Sequence, residues 1–314
     1  MMLSICIPTY NRDQTVKRNI LHIFEILAKN GLEDLVSINV SDNNSQDKTS
    51  DVLDEILNTY TPKFHFRVHH HTRKLKIQDN LIYVAAMSKT EKFMWLGDDD
   101  FFSEDYLLKV IELITTDKNV SGIIPAFKEV GISGEELSGS RDLGKESKIY
   151  SPGFATCLKM SWRGHQMSGL VFDRHILEYY QKNEVSNMYP FIFFAAFASL
   201  HGHIFHLTEF PIEVTQPGQE KKDWGYDQDG LFNEVFDNYS KLEVGMLRKT
   251  LLQLYFYYQQ FGRLLAYKRN GFRGVMKAYI KVEFSKNGTF LFKICFPLFA
   301  VTHIIFLKIR EYLK

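Results

Sequence analysis

A mostly parallel α/β sheet flanked by helices, with a helical C-terminal extension, is the fold this sequence predicts, and three observations predict it. Short apolar runs alternate with amphipathic stretches over roughly the first 115 residues. Polar turns rich in Asp, Asn and Ser close those runs, and after about residue 215 the composition shifts to long helical stretches rich in Leu, Tyr and Phe. The chain has 314 residues, of which 45% are hydrophobic, so it can build a substantial core. The expected division is an α/β unit over 1–215 and a mainly helical region over 216–314.

The elements follow in order. Residues 3–7 are an apolar, β-rich run closed by Pro8, and a helix is expected over 15–28, where Val16, Ile20, Ile23, Phe24 and Leu27 repeat at helical spacing before Asn30-Gly31. A second strand, 36–40, runs into Ser41-Asp42-Asn43-Asn44-Ser45. A helix over 47–58, a strand over 64–69 and a helix over 77–88 come next. The strand 92–96 then leads directly into Gly97-Asp98-Asp99-Asp100, and Ser103 is placed to cap a helix over 104–115, with Glu104 and Asp105 in its first turn. Residues 131–148, rich in Gly, Ser and charge, read as a mobile loop. The apolar segment 191–200 reads as a buried helix closed by His201-Gly202-His203, and helices are expected over 231–268.

Composition excludes several classes. Basic and acidic residues nearly cancel, 38 against 37, so no net field draws the chain to nucleic acid. The cysteines Cys6, Cys157 and Cys295 are far apart and lack metal-ligand spacing, which argues against a disulfide framework and for a reducing compartment. The apolar start lacks the basic residues of a secretory signal, so a cytoplasmic location is expected. The run 289–307 approaches spanning length, but Lys293, Pro297 and His303 interrupt it. An interfacial helix flanked by Lys281, Lys286, Lys308 and Arg310, peripheral on the inner membrane face, is the expectation, with a buried bundle helix as the alternative.

Three adjacent aspartates after an apolar strand repel one another unless a cation or hydrogen bonds offset them. Mg²⁺ or Mn²⁺ is the simplest offset, with Asp98, Asp99 and Asp100 as candidate ligands and phosphate or water completing the shell. The plainer alternative is an acidic turn capping the following helix. In the first loop, Pro8 ends the strand, Thr9 can hydrogen-bond, Tyr10 can stack on a base and Arg12 can reach a phosphate, although an ordinary strand-to-helix turn has the same composition. Asp42, closing the second strand, is able to accept from a base N–H, though turn chemistry alone selects Asp there too. All three loops follow strands of one sheet and so converge on one edge.

Three segments, Ser4 to Arg12, Val40 to Thr49 and Trp95-Leu96-Gly97-Asp98-Asp99-Asp100, together resemble the family-two inverting glycosyltransferases of the GT-A fold, of the bacterial surface-polysaccharide type. The likeness is good over residues 1–125 and thins beyond. It implies a nucleotide-diphosphate sugar donor and a glycan acceptor, lipid-linked in one version, with Pro8, Thr9, Tyr10 and Arg12 lining the nucleotide pocket. It further implies that Asp42 reads the base, that Arg73 and Asn80 close over ribose and phosphates, and that Asp98 and Asp100 flank the metal-diphosphate. The register stays open between Gly97-Asp98-Asp99, with Asp99 as ligand, and Asp98-Asp99-Asp100. A Gly before the acidic pair resembles transferases that place deoxy or dideoxy sugars on O-antigen or capsule.

The chain departs from the family where a base is expected: Pro190-Phe191 stands in place of an acidic pair at the start of the helix over 191–200. Asp173, Glu184 and His165 are the candidates for the catalytic base, with solvated carboxylates and a binding histidine as alternatives. Adjacent His69, His70 and His71 on a strand point in alternating directions, which argues against a shared metal. Trp224 is a candidate stacking surface for an acceptor sugar. Two rivals stand beside transfer: a sugar nucleotidyltransferase, for which the glycine-rich phosphate loop is missing, and a catalytically inactive GT-A-fold carbohydrate-binding or scaffold protein, kept open by the missing carboxylate.

Overall fold

The computed structural model describes residues 1–61, 63–131, 133–216, 230–267 and 271–312. Its sheet has eight strands: β1 (Leu3–Thr9), β2 (Val36–Asp42), β3 (His65–His70), β4 (Lys92–Trp95), β5 (Val120–Val130), β6 (Lys148–Tyr150), β7 (Val171–Asp173) and β8 (His203–Thr215). They lie in the order β3-β2-β1-β4-β7-β5-β8-β6. Parallel pairing joins β1 to β2 and β4, β2 to β3, and β5 to β8. β7 runs antiparallel between β4 and β5, and β6 runs antiparallel on β8.

Strand residues alternate between two apolar layers because successive side chains point to opposite faces. Leu3, Ile5, Ile7, Met94 and Leu96 pack with α1 (Asp13–Asn30), α2 (Thr49–Tyr60) and α4 (Glu104–Thr116). Cys6, Phe93 and Trp95 face the other layer, with α3 (Ile77–Ala86), α5 (Phe154–Met160), α6 (Ile176–Lys182) and α7 (Pro190–His201). Helix α7 is apolar on all sides because it is covered on all sides. Phe191 and Phe194 meet the Trp95 ring edge to face at 5.0 and 4.9 Å. The second layer continues into the C-terminal helices α8 (Gly230–Ser240), α9 (Met246–Ala266), α10 (Gly271–Glu283) and α11 (Phe290–Tyr312).

Local signals act as expected at both ends of the early helices. Gly31, at φ 63°, closes α1 in the left-handed conformation, and Ser103 caps α4 by accepting the Tyr106 N–H at 3.2 Å. Strands β5 to β8 do not declare themselves by pattern. Gly122 and Pro125 interrupt β5, and the β5–β8 register shifts at Val120/Gly122 and Pro125/Phe127, where a residue unable to donate is tolerated. The segment expected as a mobile loop over 131–148 is anchored at its middle. Asp142 is buried and accepts from Arg163 Nε at 2.6 Å and pairs with His206 at 3.1 Å, because a buried carboxylate has to find cationic and donor partners. The three cysteines are free, with Cys6 and Cys157 buried. Trp224 lies outside the described residues.

Candidate active site

The carboxyl ends of β1, β2 and β4 form one edge, and their loops are tied to each other. Thr9 Oγ1 donates to Asp98 Oδ2 at 2.6 Å, and the Asn43 N–H donates to Thr9 O at 3.0 Å. Asn11 adopts the left-handed conformation at φ 54°, which Asn tolerates, and joins the first two loops: its N–H donates to Ser45 Oγ at 2.9 Å while its Oδ1 accepts from Gln46 N at 2.7 Å. The Arg12 N–H donates to Thr49 Oγ1 at 2.8 Å, and its guanidinium stands 3.7 Å from Asp99. Pro8 lies in β1 opposite Ser41.

The acidic turn divides into two roles. Asp98 and Asp99 are partly exposed at the edge, whereas Asp100 is buried and turned inward. Asp100 Oδ1 accepts the Thr215 N–H at 2.9 Å, Oδ2 accepts from Ser168 Oγ, and its backbone carbonyl accepts from Asn19. Burial foremost, then repulsion from Asp99, pushes its carboxyl up to about 7. In this geometry both of its oxygens hold β8 and the loop before β7 in place, and Asp98 and Asp99 are the carboxylates that reach the edge. The same packing explains Gly97, since a Cβ there would fall 2.7 Å from Asp100 Oδ2 and 3.2 Å from Ser168 Oγ.

Asp42 and Asn80 are likewise turned inward. Asp42 is fully buried: Oδ1 accepts from Ser45 N at 3.1 Å, and Oδ2 meets Ser50 Oγ at 2.7 Å and His70 Nδ1 at 2.9 Å. Although burial opposes it, these hydrogen bonds, that from His70 first among them, hold its carboxyl below the usual range. These bonds make it a scaffold for the turn. Asn80 Oδ1 accepts from Ser41 Oγ at 2.6 Å, so it locks α3 to β2 and does not face the cleft. Asn43, which the sequence reading passed over, does the closing work: its side chain exchanges hydrogen bonds with Leu75 N at 2.7 Å and Leu75 O at 3.1 Å, pinning the loop that carries Arg73. Arg73 is exposed on that loop, and the Lys74 ammonium lies 3.8 Å from the Tyr10 ring centroid. The histidine run splits as strand geometry requires, with His70 on Asp42 and Asp54 while His69 and His71 meet Tyr83.

Of the candidates for the base, Asp173 is excluded by position. It stands opposite Lys92, at the amino end of β4, and is bound by Lys92 Nζ and by Ser121 Oγ at 2.7 Å. Lys92 precedes Asp98 by six residues, about 20 Å along extended chain. Glu184 is exposed in the turn after α6, at φ 51°, beside a groove lined by Gln78, Asp79, Tyr83 and Tyr180. His165 belongs to the segment that delivers Ser168 to Asp100. Its Nδ1 lies 2.9 Å from Trp162 O, so it carries the proton and leaves Nε2 as the acceptor. Burial first, then the neighbouring Arg141, pushes the imidazole down to about 3. Arg141 lies over Phe127 and Trp162 at 4.7 and 5.6 Å, and Arg163 grips Asp142. Neither arginine was singled out from sequence, because their partners come from distant loops.

A mixed sheet, with an acidic turn and a basic loop converging at the carboxyl edge of its parallel strands, is the arrangement of a GT-A fold. The glycosyl transferase family 2 model matches residues 4–179, more than half of the chain, and the protein belongs to that family. Among solved structures, S. aureus TarS 1–349 superposes with a TM-score of 0.65 at 15% identity, covering 90% of this chain and 79% of that one. The same protein in complex with UDP-GlcNAc gives 0.64 at 14% identity, over 90% and 81%. The mannosyltransferase PcManGT from Pyrobaculum calidifontis, in complex with GDP-Man and Mn²⁺, gives 0.57 at 12% identity, over 90% and 87%. No curated protein matches the sequence.

Proposed function

We propose that this protein transfers a sugar from a nucleotide-diphosphate donor to a hydroxyl of a glycan or lipid-linked glycan, in the assembly of a cell-surface polysaccharide such as O-antigen or capsule. The observation that carries the reading is the union of the loops after β1, β2, β3 and β4 through Thr9–Asp98, Arg12–Asp99, Asn43–Thr9 and Asn43–Leu75. That union sets the Asp98–Asp99 pair beside the Arg12 guanidinium and holds the loop of Arg73 and Lys74 against Tyr10, an arrangement suited to a metal-bound diphosphate. The UDP-GlcNAc and GDP-Man complexes of the structural neighbours support the donor class.

Among the described residues no group of three or more His, Cys, Asp or Glu could hold a metal. Asp98 and Asp99 alone fit Mg²⁺ or Mn²⁺ in the manner of a site finished by substrate phosphates and water. When bound, the ion supplies charge neutralisation on the departing diphosphate. The chain's own part is positional. Thr9 orients Asp98, Arg12 and Arg73 offer donors to phosphate oxygens, and Tyr10 offers a ring to the base once Lys74 moves from its face. His165, with Nε2 unprotonated, is the first candidate to accept the hydrogen bond from the attacking hydroxyl, although an imidazole held down to about 3 orients that hydroxyl better than it takes its proton as the bond to the sugar forms. Glu184 is the second candidate for that proton.

Calorimetric titration with UDP, GDP, CDP and dTDP, with and without Mn²⁺, tests the reading on wild type and on Asp98→Asn and Asp99→Asn. One nucleotide is expected to bind in a metal-dependent way, with at least about tenfold weaker binding in one variant. No binding by any of the four sinks the transferase reading and favours the scaffold alternative. His165→Gln is expected to lower kcat and leave donor binding intact. If Glu184→Gln does so instead, the base is reassigned.

A further inference from the structure

Helices α10 and α11 turn apolar side chains outward as well as inward. On α10, Ala278 and Val282 are buried against the helical layer while Phe272, Met276, Ile280 and, just past its end, Phe284 are exposed at every fourth residue; Phe272 is 79% and Phe284 65% exposed. On α11, Phe292, Phe296, Ala300 and His303 face the core, and Phe290, Ile294, Leu298, Val301 and Ile305 form the opposite face, with Phe290 70% and Leu298 72% exposed. The two helices pack against each other and against α9, so the two exposed faces belong to neighbouring elements of one helical layer. Monomeric surfaces rarely leave so continuous an apolar area uncovered.

Charge identifies the cover. Arg273, Lys277 and Lys281 each follow a stripe residue by one position and so run beside the α10 stripe at the same four-residue interval. Residues 271–314 hold eight basic and two acidic side chains, net +6, within a chain of net +1, which leaves −5 for the rest. A second copy laid face to face would bring the two basic ladders together, and like charges oppose that pairing. No helix among the described residues is long and apolar enough to cross a membrane. An apolar face bordered by Lys and Arg on a non-spanning helix matches the boundary between acyl chains and anionic headgroups.

We propose that the outer plate of α10 and α11 seats the protein on an anionic membrane surface, with the aromatic and aliphatic stripe in the interface and the Arg273-Lys277-Lys281 ladder at the headgroups. This deepens the reading of a transferase acting on a lipid-linked acceptor and rests on it for purpose, though its evidence is independent. The sequence points to the α11 half alone; the α10 stripe and its junction with α11 come from the tertiary packing.

The test is co-sedimentation of the full chain, without donor or metal, with vesicles of phosphatidylcholine and of equal parts phosphatidylcholine and phosphatidylglycerol. Wild type is expected to pellet with the anionic vesicles at least about tenfold more strongly than with the neutral ones, and less at high salt. Phe272→Ser/Phe284→Ser/Leu298→Ser is expected to stay in the supernatant with an unchanged unfolding midpoint, and Arg273→Glu/Lys277→Glu/Lys281→Glu to lose the anionic preference. Wild type remaining in the supernatant with both vesicles overturns the proposal. If sedimentation velocity then shows a dimer that the serine variant dissolves, the plate is a contact between two copies. Donor titration in solution is a separate measurement, so either reading can fail without the other.

Discussion

Asp142 gathers Arg141, Lys145, Arg163 and His206 around one buried carboxylate. It sits at φ 62°, a conformation Asn also tolerates, with Arg163 at 2.6 Å, Lys145 at 2.5 Å and His206 at 3.1 Å. Asp142→Asn keeps the backbone and removes the charge, leaving Arg163 buried without its counterion. Such a loss costs about 3–5 kcal/mol, and urea unfolding at neutral pH is expected to show it; a loss below about 1 kcal/mol would mean that water already reaches Arg163. His165 contributes through protonation. Its folded value of about 3 lies below the usual value of 6.5, so its stabilisation is fully present above pH 6.5 and is lost as pH falls toward 3. Between pH 7 and pH 5 its share reaches at most about 2 kcal/mol. His206, also held low by burial, works in the same direction. The urea midpoint of wild type is expected to fall over this interval, and that of His165→Gln to fall less; equal slopes would show that His165 titrates normally.

At the scale of elements, two glycines set contacts that no other residue permits. Gly164 lies in a 3-10 turn at Ser161–His165, and a Cβ on it would meet the carbonyl oxygen of Phe191 at 2.6 Å. Backbone cannot give way as a side-chain tip can, so Gly164→Ala is expected to push this turn off the start of α7 at a cost of about 1–3 kcal/mol. Gly97→Ala instead meets the Asp100 carboxylate. Here the expected effect is on function as much as on stability: rotating Asp100 outward breaks its bond to Thr215 and disturbs Asp98 and Asp99, so metal-dependent nucleotide binding weakens by about tenfold or more. Calorimetry on Gly97→Ala beside Gly164→Ala separates the two, since the second variant leaves Gly97 and the Thr9–Asp98 bond in place and reaches the acidic turn only through Ser168.

For the whole molecule, the second apolar layer joins Trp95 and Phe172 on the sheet, Phe193 and Phe194 on α7, Phe232 and Phe236 on α8, Phe256 and Tyr257 on α9, and Phe292 and Phe296 on α11. An uninterrupted core couples the α/β part to the C-terminal helices, so calorimetric unfolding of the full chain is expected to give one transition. Two separated peaks would show instead that the helical region melts by itself. A chain ending before α9 would bare Phe232, Phe236 and Tyr239, which are now covered by Phe256 and Phe292, and is expected to aggregate.

The elements legible in the sequence are those whose information is local. The runs 3–7, 36–40 and 92–96, the helical spacing of Val16 to Leu27, the Gly31 stop and the Ser103 cap each depend on neighbours within a few residues, and each appears in the structure with ends displaced by a residue or two. Strands β5, β7 and β8 escaped, because Gly122, Pro125 and Pro211 break the alternation and their pairing is made by partners distant in the chain. The site follows the same division. The sequence by itself determined that polar loops at three strand ends converge with an acidic turn, since parallel strands put their carboxyl ends on one edge. Only the tertiary structure decided which of those polar groups face outward. Asp42, Asn80 and Asp100 turn inward because His70, Ser41, Ser168 and Thr215 reach them across the fold, and Asp173 is carried to the opposite edge by the reversed direction of β7. Burial and partner choice are long-range properties, and no local pattern of residues encodes them.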